Sequence, residues 1–234
     1  MNSNVQSARA VAEPAQGAAS PAPSLRALMR PALVSAVFFM LLTGLAYPLL
    51  TTGIAQVLMP SQANGSLIDK QHGAVGSAQI GQDFTQARYF HPRPSATLGA
   101  DPKNPAQTVA QPYNSESSGA SNLAPTSKAL IEQVASRAAA YRRENALAGT
   151  TPVPVDAVTA SASGLDPDIS VANALLQAQR VARARGLPVE PMRALVAQHT
   201  KAPQLGVLGD PRVNVLELNL ALDALSSSTA QAIQ

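Results

Sequence analysis

Cysteine and tryptophan are absent from the 234 residues, aromatic side chains make up 3% and charged ones 13%. Without thiols the chain can form no disulfide, run no thiolate chemistry and build no zinc site of the cysteine type. The same lack suits either side of a membrane and selects no compartment. Binding of nucleic acid needs a basic stripe and aromatic platforms for the bases. The pI of 9.5 suggests such a surface, but beyond residue 60 there are 14 basic residues against 13 acidic. That part is close to neutral, so no nucleic-acid partner is expected. Nucleotide and hydrolase signatures are missing too: there is no G-x-x-x-x-G-K-[ST], no G-x-S-x-G and no H-E-x-x-H. The three histidines, His72, His91 and His199, lie far apart and have no paired ligand spacing, so no metal site is expected.

What the chain does have is one long apolar run. From Ala32 through Met59 no side chain is charged, and that stretch exceeds the roughly 20 residues a helix needs to cross a bilayer core. Phe38, Phe39, Leu41, Leu42, Leu45, Leu49 and Leu50 point all round the cylinder, whereas a helix buried in a soluble fold keeps a polar stripe. The stretch 31–59 therefore reads as a transmembrane helix. A cleaved signal peptide is the strongest rival, with Ser61-Gln62-Ala63 as a small-residue cleavage site. Signal cores, however, span only roughly 7 to 15 residues. At about 1.5 Å per residue the run would be ~42 Å long and should tilt or kink. Pro31 suits a helix start. Pro48, which removes the hydrogen bond to the carbonyl of Gly44, marks the kink, and the hydroxyls of Thr51 and Thr52 could re-satisfy that carbonyl. Ala36, Gly44, Pro48 and Gly53 are candidate contacts for a partner helix, since small residues let backbones approach closely.

Residues 1–30 read as a disordered tail rich in Ala, Ser, Pro, Gln and Gly. Arg26 and Arg30 precede the run and the next charges are Asp69 and Lys70. By the positive-inside rule the N-terminus is cytoplasmic and residues 60–225 form an extracytoplasmic, periplasmic domain of a bacterial inner-membrane protein. Within it, Gly76 to Ile80 and Tyr89 to Phe90 read as short strands. The stretch from Pro92 to Pro125 reads as a long ordered loop or a flexible excursion. Helical spacing of Leu130, Val134, Ala138 and Tyr141 predicts a helix over Thr126 to Leu147, with Arg142 and Arg143 solvated in its last turns. Thr151 to Thr159 alternates like an edge strand. A second helix runs from its cap, Ser170, to Arg185, stopped by Gly186, and Arg180, Arg183 and Arg185 on it read as a solvated face. A third covers Pro191 to Thr200. Val213 to Leu225 alternates like a strand, yet Asn214 followed by Glu217 resembles a capping box, so helix is preferred. The last nine residues, 226–234, should fray. The fold class predicted is α+β: one N-terminal transmembrane helix, then a single soluble domain of helices packed on a small sheet.

One stretch invites a phosphate. Ser161 to Ser170 is a small-residue loop leading into a helix N-terminus, where free N–H groups and the dipole attract anions, so Ser163, Gly164 and Ser170 are candidate nucleotide contacts. Asp166 and Asp168 stand where the phosphate would go and more naturally satisfy those same N–H groups. A capped turn is the preferred reading.

Four stretches carry a resemblance. They are Gly76 to Phe84 continuing through Tyr89 to Ala96; Ser118 to Thr126; Val153 to Ser161 continuing through Gly164 to Ser170; and Leu205 to Asn219. In this order, behind a single N-terminal span, they resemble the C subunit of the Kdp potassium-transporting ATPase. The resemblance implies a non-catalytic subunit of an ATP-driven potassium import complex, without a cofactor of its own. Its partners there would be a potassium-binding channel-like subunit, a P-type ATPase subunit and a small hydrophobic subunit, besides membrane lipid. ATP and potassium ions are handled by the complex. The C subunit of that family is described as an assembly factor or catalytic chaperone that raises the pump's affinity for ATP. Arg93, Ser95, Asn122 and Asp166, from the first three stretches, become candidate partner contacts. The family usually has glycine where Ala120, Ala124 and Ala162 stand and histidine where Asp168 stands, departures that weaken a direct phosphate site. A scaffold role is therefore favoured. The alternative is a nucleotide-binding regulator contacting ATP through the Ser163–Ser170 loop, and a free secreted protein cleaved near Ala63 is a third reading.

Overall fold

Helix α1, Leu25–Leu41, opens a computed structural model that describes residues 24–70 and 73–231, with side chains described through residue 225. The chain divides into two units, ending and beginning at Leu58 and Met59. The first is the apolar helix. It starts six residues before the expected Pro31, because Ser24 acts as its cap: the backbone N–H of Ala27 donates to the Ser24 hydroxyl. Residues 25–30 of the expected tail are thus helical, Pro31 lies inside α1, and residues 1–23 lie outside the described residues. A π turn, Leu42–Ala46, separates α1 from α2, Tyr47–Leu58. The Tyr47 N–H reaches back five residues to the Leu42 carbonyl, so the irregularity sits where Gly44 and Pro48 predict one, as a widened turn. The Thr51 hydroxyl donates to the carbonyls of Tyr47 and Pro48, not to that of Gly44. No residue of α1, the π turn or α2 is buried.

The second unit begins with a single helical turn, α3 (Pro60–Ala63), and a hairpin of β1 (Leu67–Lys70) and β2 (Gly73–Ser77). The strand expected over Gly76 to Ile80 is thereby shifted toward the N-terminus. A second hairpin, β3 (Leu98–Asp101) with β4 (Asn104–Ala110), occupies the stretch read as a loop or excursion. Every residue of β4 is exposed, so it carries none of the apolar alternation that marks a half-buried strand. Then come α4 (Lys128–Glu144), α5 (Val171–Arg185), α6 (Val189–Gln198) and α7 (Val215–Gln231). A three-stranded antiparallel sheet ties them together: β5 (Asp168–Ser170) and β6 (Thr200–Lys201) flank β7 (Arg212–Asn214). The architecture is mixed α+β, as the sequence indicates.

Periodicity locates the helices because the core follows it. Ala174, Ala178 and Val181 on α5, Met192 and Val196 on α6, and Leu218 and Leu222 on α7 enclose Phe90, Ile169 and Val213. Ser170 accepts the Asn173 N–H at the start of α5, and Gly186, at φ 66°, closes its end, where the Leu187 N–H bonds the Ala182 carbonyl. Both halves of the 213–225 pattern are used. Val213 pairs in β7, and the Asn214 side chain then accepts the Glu217 N–H to start α7. Glu217 turns to Lys201, 2.8 Å away, instead of completing the box.

Two expected strands do not form. At Tyr89 to Phe90 no neighbouring strand is present, and the backbone of Phe90 and His91 is held by side-chain amides: Asn219 accepts the Phe90 N–H and donates to its carbonyl, and Gln177 does the same for His91. Thr151 to Thr159 bends into a 3-10 turn at Val155–Ala157. Prolines 152 and 154 supply no N–H for a ladder, and Asp156 is drawn to the start of α5.

Candidate functional site

The polar residues singled out in the sequence fall into a knot of loops beside β5. Gly164, buried at φ 69°, lies at its centre. The Ser95 hydroxyl donates to the Gly164 carbonyl at 2.7 Å and accepts the Tyr113 N–H at 3.0 Å. Arg93 makes a 2.7 Å ion pair with Asp166, and the Tyr113 hydroxyl donates to the Arg93 carbonyl. From the other side the Gly119 N–H bonds the Ser163 carbonyl, and the Gly81 N–H bonds that of Leu165. Arg93, Ser95, Asp166, Ser163 and Gly164 are thus brought together. Asn122 is exposed at φ 51° and Ser170 belongs to a separate cluster. Asp156 accepts both the N–H and the hydroxyl of Ser170, and the side-chain N–H of Asn173.

The N–H groups that would greet a phosphate have partners within the chain. That of Gly164 goes to the Ser161 hydroxyl, that of Leu165 to Ser163 and that of Asp168 to Asp166. Asp166 is thus a turn acceptor, as the sequence suggests, whereas the Asp168 carboxylate pairs with Arg212 at 3.0 Å.

Two open clefts flank the knot, and Arg93 lines both. One, of about 500 Å³, is bounded by Asp83, Phe84, His91 and Tyr113 and by Arg137, Tyr141 and Glu144 of α4. The other, of about 630 Å³, runs over Gln79, Ile80 and Ala160 to Ser163. Between them Arg93 Nε is buried without a hydrogen-bond partner. Burial raises the hydroxyls of Tyr113 and Tyr141 above the ordinary phenol range, so both serve as neutral donors, Tyr113 to the Arg93 carbonyl and Tyr141 to the Asn173 side chain. His91 meets Glu144 at 2.9 Å through Nδ1, while Nε2 faces the Gln86 carbonyl at 3.0 Å and Arg180 at 3.4 Å. An imidazole hemmed in on both nitrogens holds α4 against the 86–93 segment and is poorly placed for proton transfer. Among the described residues no group of carboxylates and histidines is arranged to hold a metal ion, and His72 lies outside them.

Of the arginines read as solvated, Arg180 is buried and Arg185 half-buried. Arg180 donates to Asn145, Gln177 and the carbonyls of Ala87 and Tyr89, and Arg185 pairs with Asp223 at 2.7 Å. Arg142 bonds the Thr151 carbonyl. Asn173, Gln177 and Arg180 share one face of α5, and all three are buried.

The carboxylates make opposite contributions to stability. The His91 hydrogen bond, against some desolvation and helped by the charges of His91 and Arg180, holds Glu144 below the usual carboxylate range. Its contribution is present above the unfolded value and is lost as pH falls through the folded one. Burial first, then the charge of Asp166, raises Asp168, and Arg212 at 3.0 Å offsets only part of this. Its contribution is present below the unfolded value and lost as pH rises through the folded one, so ionised Asp168 costs stability at neutral pH. Glu144→Gln should therefore lower the urea midpoint at neutral pH and flatten the acid limb. Asp168→Asn should leave the neutral midpoint unchanged or raised. Equal losses in the two variants, measured on the full-length chain in detergent, would contradict this assignment.

A family model described as the K+-transporting ATPase, c chain, KdpC, matches residues 29–224. The chain belongs to the KdpC family. A potassium-transporting ATPase KdpC subunit of Rhodopseudomonas palustris is 56% identical over 196 residues, covering 84% of this chain and 97% of the relative. Those of Bradyrhizobium diazoefficiens and Methylobacterium nodulans are each 54% identical, over 195 and 198 residues, covering 83% and 85% of this chain and 96% and 97% of theirs. The KdpC match takes in the apolar helix and the α+β unit alike. The four KdpC-like stretches also bond to one another. The first is gripped by Gln177 and by Asn219 of the fourth, the second meets the third at Gly119 and Ser163, and the third pairs with the fourth as β5 with β7.

Proposed function

We propose that this chain is a non-catalytic, single-span subunit of an ATP-driven potassium import complex. Its N-terminus is cytoplasmic, its α+β unit lies on the periplasmic side of the inner membrane, and it stabilises assembly of the channel-like, P-type ATPase and small hydrophobic subunits. The observation that carries this reading is the 34-residue apolar helix Leu25–Leu58, none of whose most apolar stretch is buried, in a chain whose relatives are named subunits of a potassium-transporting ATPase. Such a surface calls for lipid or partner helices, and Ala36, Gly44 and Gly53 permit close approach of the latter. Arg26 and Arg30, at the start of that helix and ahead of its uncharged stretch, support the orientation. From that side the chain raises the pump's affinity for ATP through partner helices; the internally satisfied Ser163–Ser170 loop favours this over direct contact.

Two measurements test the reading. A phosphatase reporter fused after Gln234 should be active in the periplasm; activity of a cytoplasmic reporter alone would reverse the orientation and favour a nucleotide-binding regulator. Cells lacking the chain should fail to assemble the complex and to grow at limiting potassium. Normal assembly and transport without it would overturn the proposal.

A further inference from the structure

A backbone carbonyl inside an α-helix is served by the N–H four residues on, and in a π turn by the N–H five residues on. Where the π turn Leu42–Ala46 meets α2, neither rule serves Thr43. The N–H four residues on, that of Tyr47, donates to the Leu42 carbonyl, and the residue five on is Pro48, which has no N–H. The same proline removes the donor that an α-helix would offer to Gly44. Nearby hydroxyls are engaged elsewhere: that of Thr43 donates to the Phe39 carbonyl at 2.7 Å, and that of Thr51 to the carbonyls of Tyr47 and Pro48. The Thr43 carbonyl is thus left without a donor by its own helix.

The depth of that carbonyl decides what can serve it. At about 1.5 Å per residue Thr43 lies ~17 Å from Ala32 and ~24 Å from Met59, the ends of the uncharged stretch. Any slab of hydrocarbon ~30 Å thick laid along that stretch contains it. Acyl chains carry no donor, so a polar backbone group at that depth is satisfied by protein. Gly44, the next residue, has nothing within 4 Å of where a Cβ would stand, and a donor from outside can come close. An acceptor of this kind selects its partner by chemistry, because a further apolar surface would leave it unserved.

We propose that the Thr43 carbonyl accepts a hydrogen bond from a polar side chain, a hydroxyl, carboxamide or cationic group, on a membrane helix of another subunit of the complex. Ala36, Gly44 and Gly53 permit a helix to approach anywhere along the span, whereas one acceptor at Thr43 fixes the height at which it docks. The proposal rests on the reading of Leu25–Leu58 as a membrane span in a multi-subunit complex, but not on its orientation or on any effect on ATP.

Thr43–Gly44 and Thr52–Gly53 are the two Thr–Gly bonds of the sequence. Full-length chain labelled with carbonyl-13C threonine and 15N glycine therefore shows these two carbonyls alone in a dipolar-filtered solid-state NMR spectrum. Thr52, in the regular helix α2, is the reference. In dilute phospholipid bilayers the Thr43 carbonyl should resonate upfield of Thr52, and it should move downfield, as a carbonyl does on accepting a hydrogen bond, when the unlabelled remaining subunits are added. Pro48→Ala returns an N–H to the helix. It should abolish that movement and weaken retention of the chain in the purified complex roughly 3- to 20-fold, the range of an interhelical hydrogen bond in a bilayer. A Thr43 carbonyl that already matches Thr52 in dilute bilayers, or that stays unmoved in chain that has joined the complex, overturns the proposal alone. A downfield shift that appears in the chain by itself and fades on dilution with lipid overturns it in favour of a second copy of this chain. Chain that does not insert into bilayers overturns the span as well.

Discussion

Replacing Arg180 with alanine should cost about 3–5 kcal/mol of stability, the range for breaking a buried charged network by removing one partner. The guanidinium is 7% exposed and each nitrogen is in use: Nε on Asn145 at 3.0 Å, Nη1 on the carbonyls of Ala87 at 2.6 Å and Tyr89 at 3.0 Å, and Nη2 on Gln177 at 2.7 Å. Desolvation lowers its pKa from the ordinary arginine value, opposed by Glu144, yet a guanidinium has no means of shedding its proton near neutral pH. The cost of burying it is met by those four acceptors and by Glu144 at 3.8 Å. Truncation strands the acceptors and leaves a cavity, and water can reach only the outermost of them. Arg180→Lys should recover little, because an ammonium cannot span acceptors laid out for a planar fork. Arg180→Met fills the volume and separates cavity from hydrogen bonding. Urea unfolding of the full-length chain in detergent gives the three values, and a loss under about 1 kcal/mol for alanine, the range of an exposed charge, would mean that the arginine faces solvent.

That arginine also shows where sequence stopped being informative. Helices α4, α5, α6 and α7 were legible because their apolar residues recur at helical spacing, and Ser170 and Gly186 mark the ends of α5 by local chemistry. The polar face Asn173, Gln177 and Arg180 recurs at the same spacing and looks like a solvent face, because nothing nearby in sequence says what covers it. The covering segment, residues 87 to 91, is 86 to 93 residues away. Asn219 on α7 grips Phe90 from 129 residues away in the same manner. Side-chain amides replacing a strand partner leave no periodic trace, so Tyr89 to Phe90 reads as a strand in the sequence. The β3–β4 hairpin was missed for the opposite reason. Its exposed β4 has no buried face to generate alternation.

Gly164→Ala should cost about 2–5 kcal/mol, compounded of left-handed strain of roughly 1–2 kcal/mol and overpacking of about 1–3 kcal/mol. An added Cβ would stand 2.6 Å from the Gly119 carbonyl oxygen and 2.6 Å from the Thr97 methyl. Neither neighbour can retreat cheaply. The Gly119 N–H is bonded to the Ser163 carbonyl at 2.9 Å, and the Thr97 hydroxyl donates to Gln111 at 2.6 Å and accepts the Asn114 N–H. Gly186 provides the control. Its φ is 66°, nearly that of Gly164 at 69°, but nothing lies within 4 Å of where its Cβ would be. Gly186→Ala should therefore lose only the strain, roughly 1 kcal/mol, and the difference between the two variants isolates the contact. Equal losses would mean that the loops around Gly164 are loose enough to yield. A clear excess at 164 would explain the glycine without a ligand. The sequence offers the missing side chain as room for a phosphate but favours a capped turn, and the space is filled by the carbonyl of Gly119 and the methyl of Thr97.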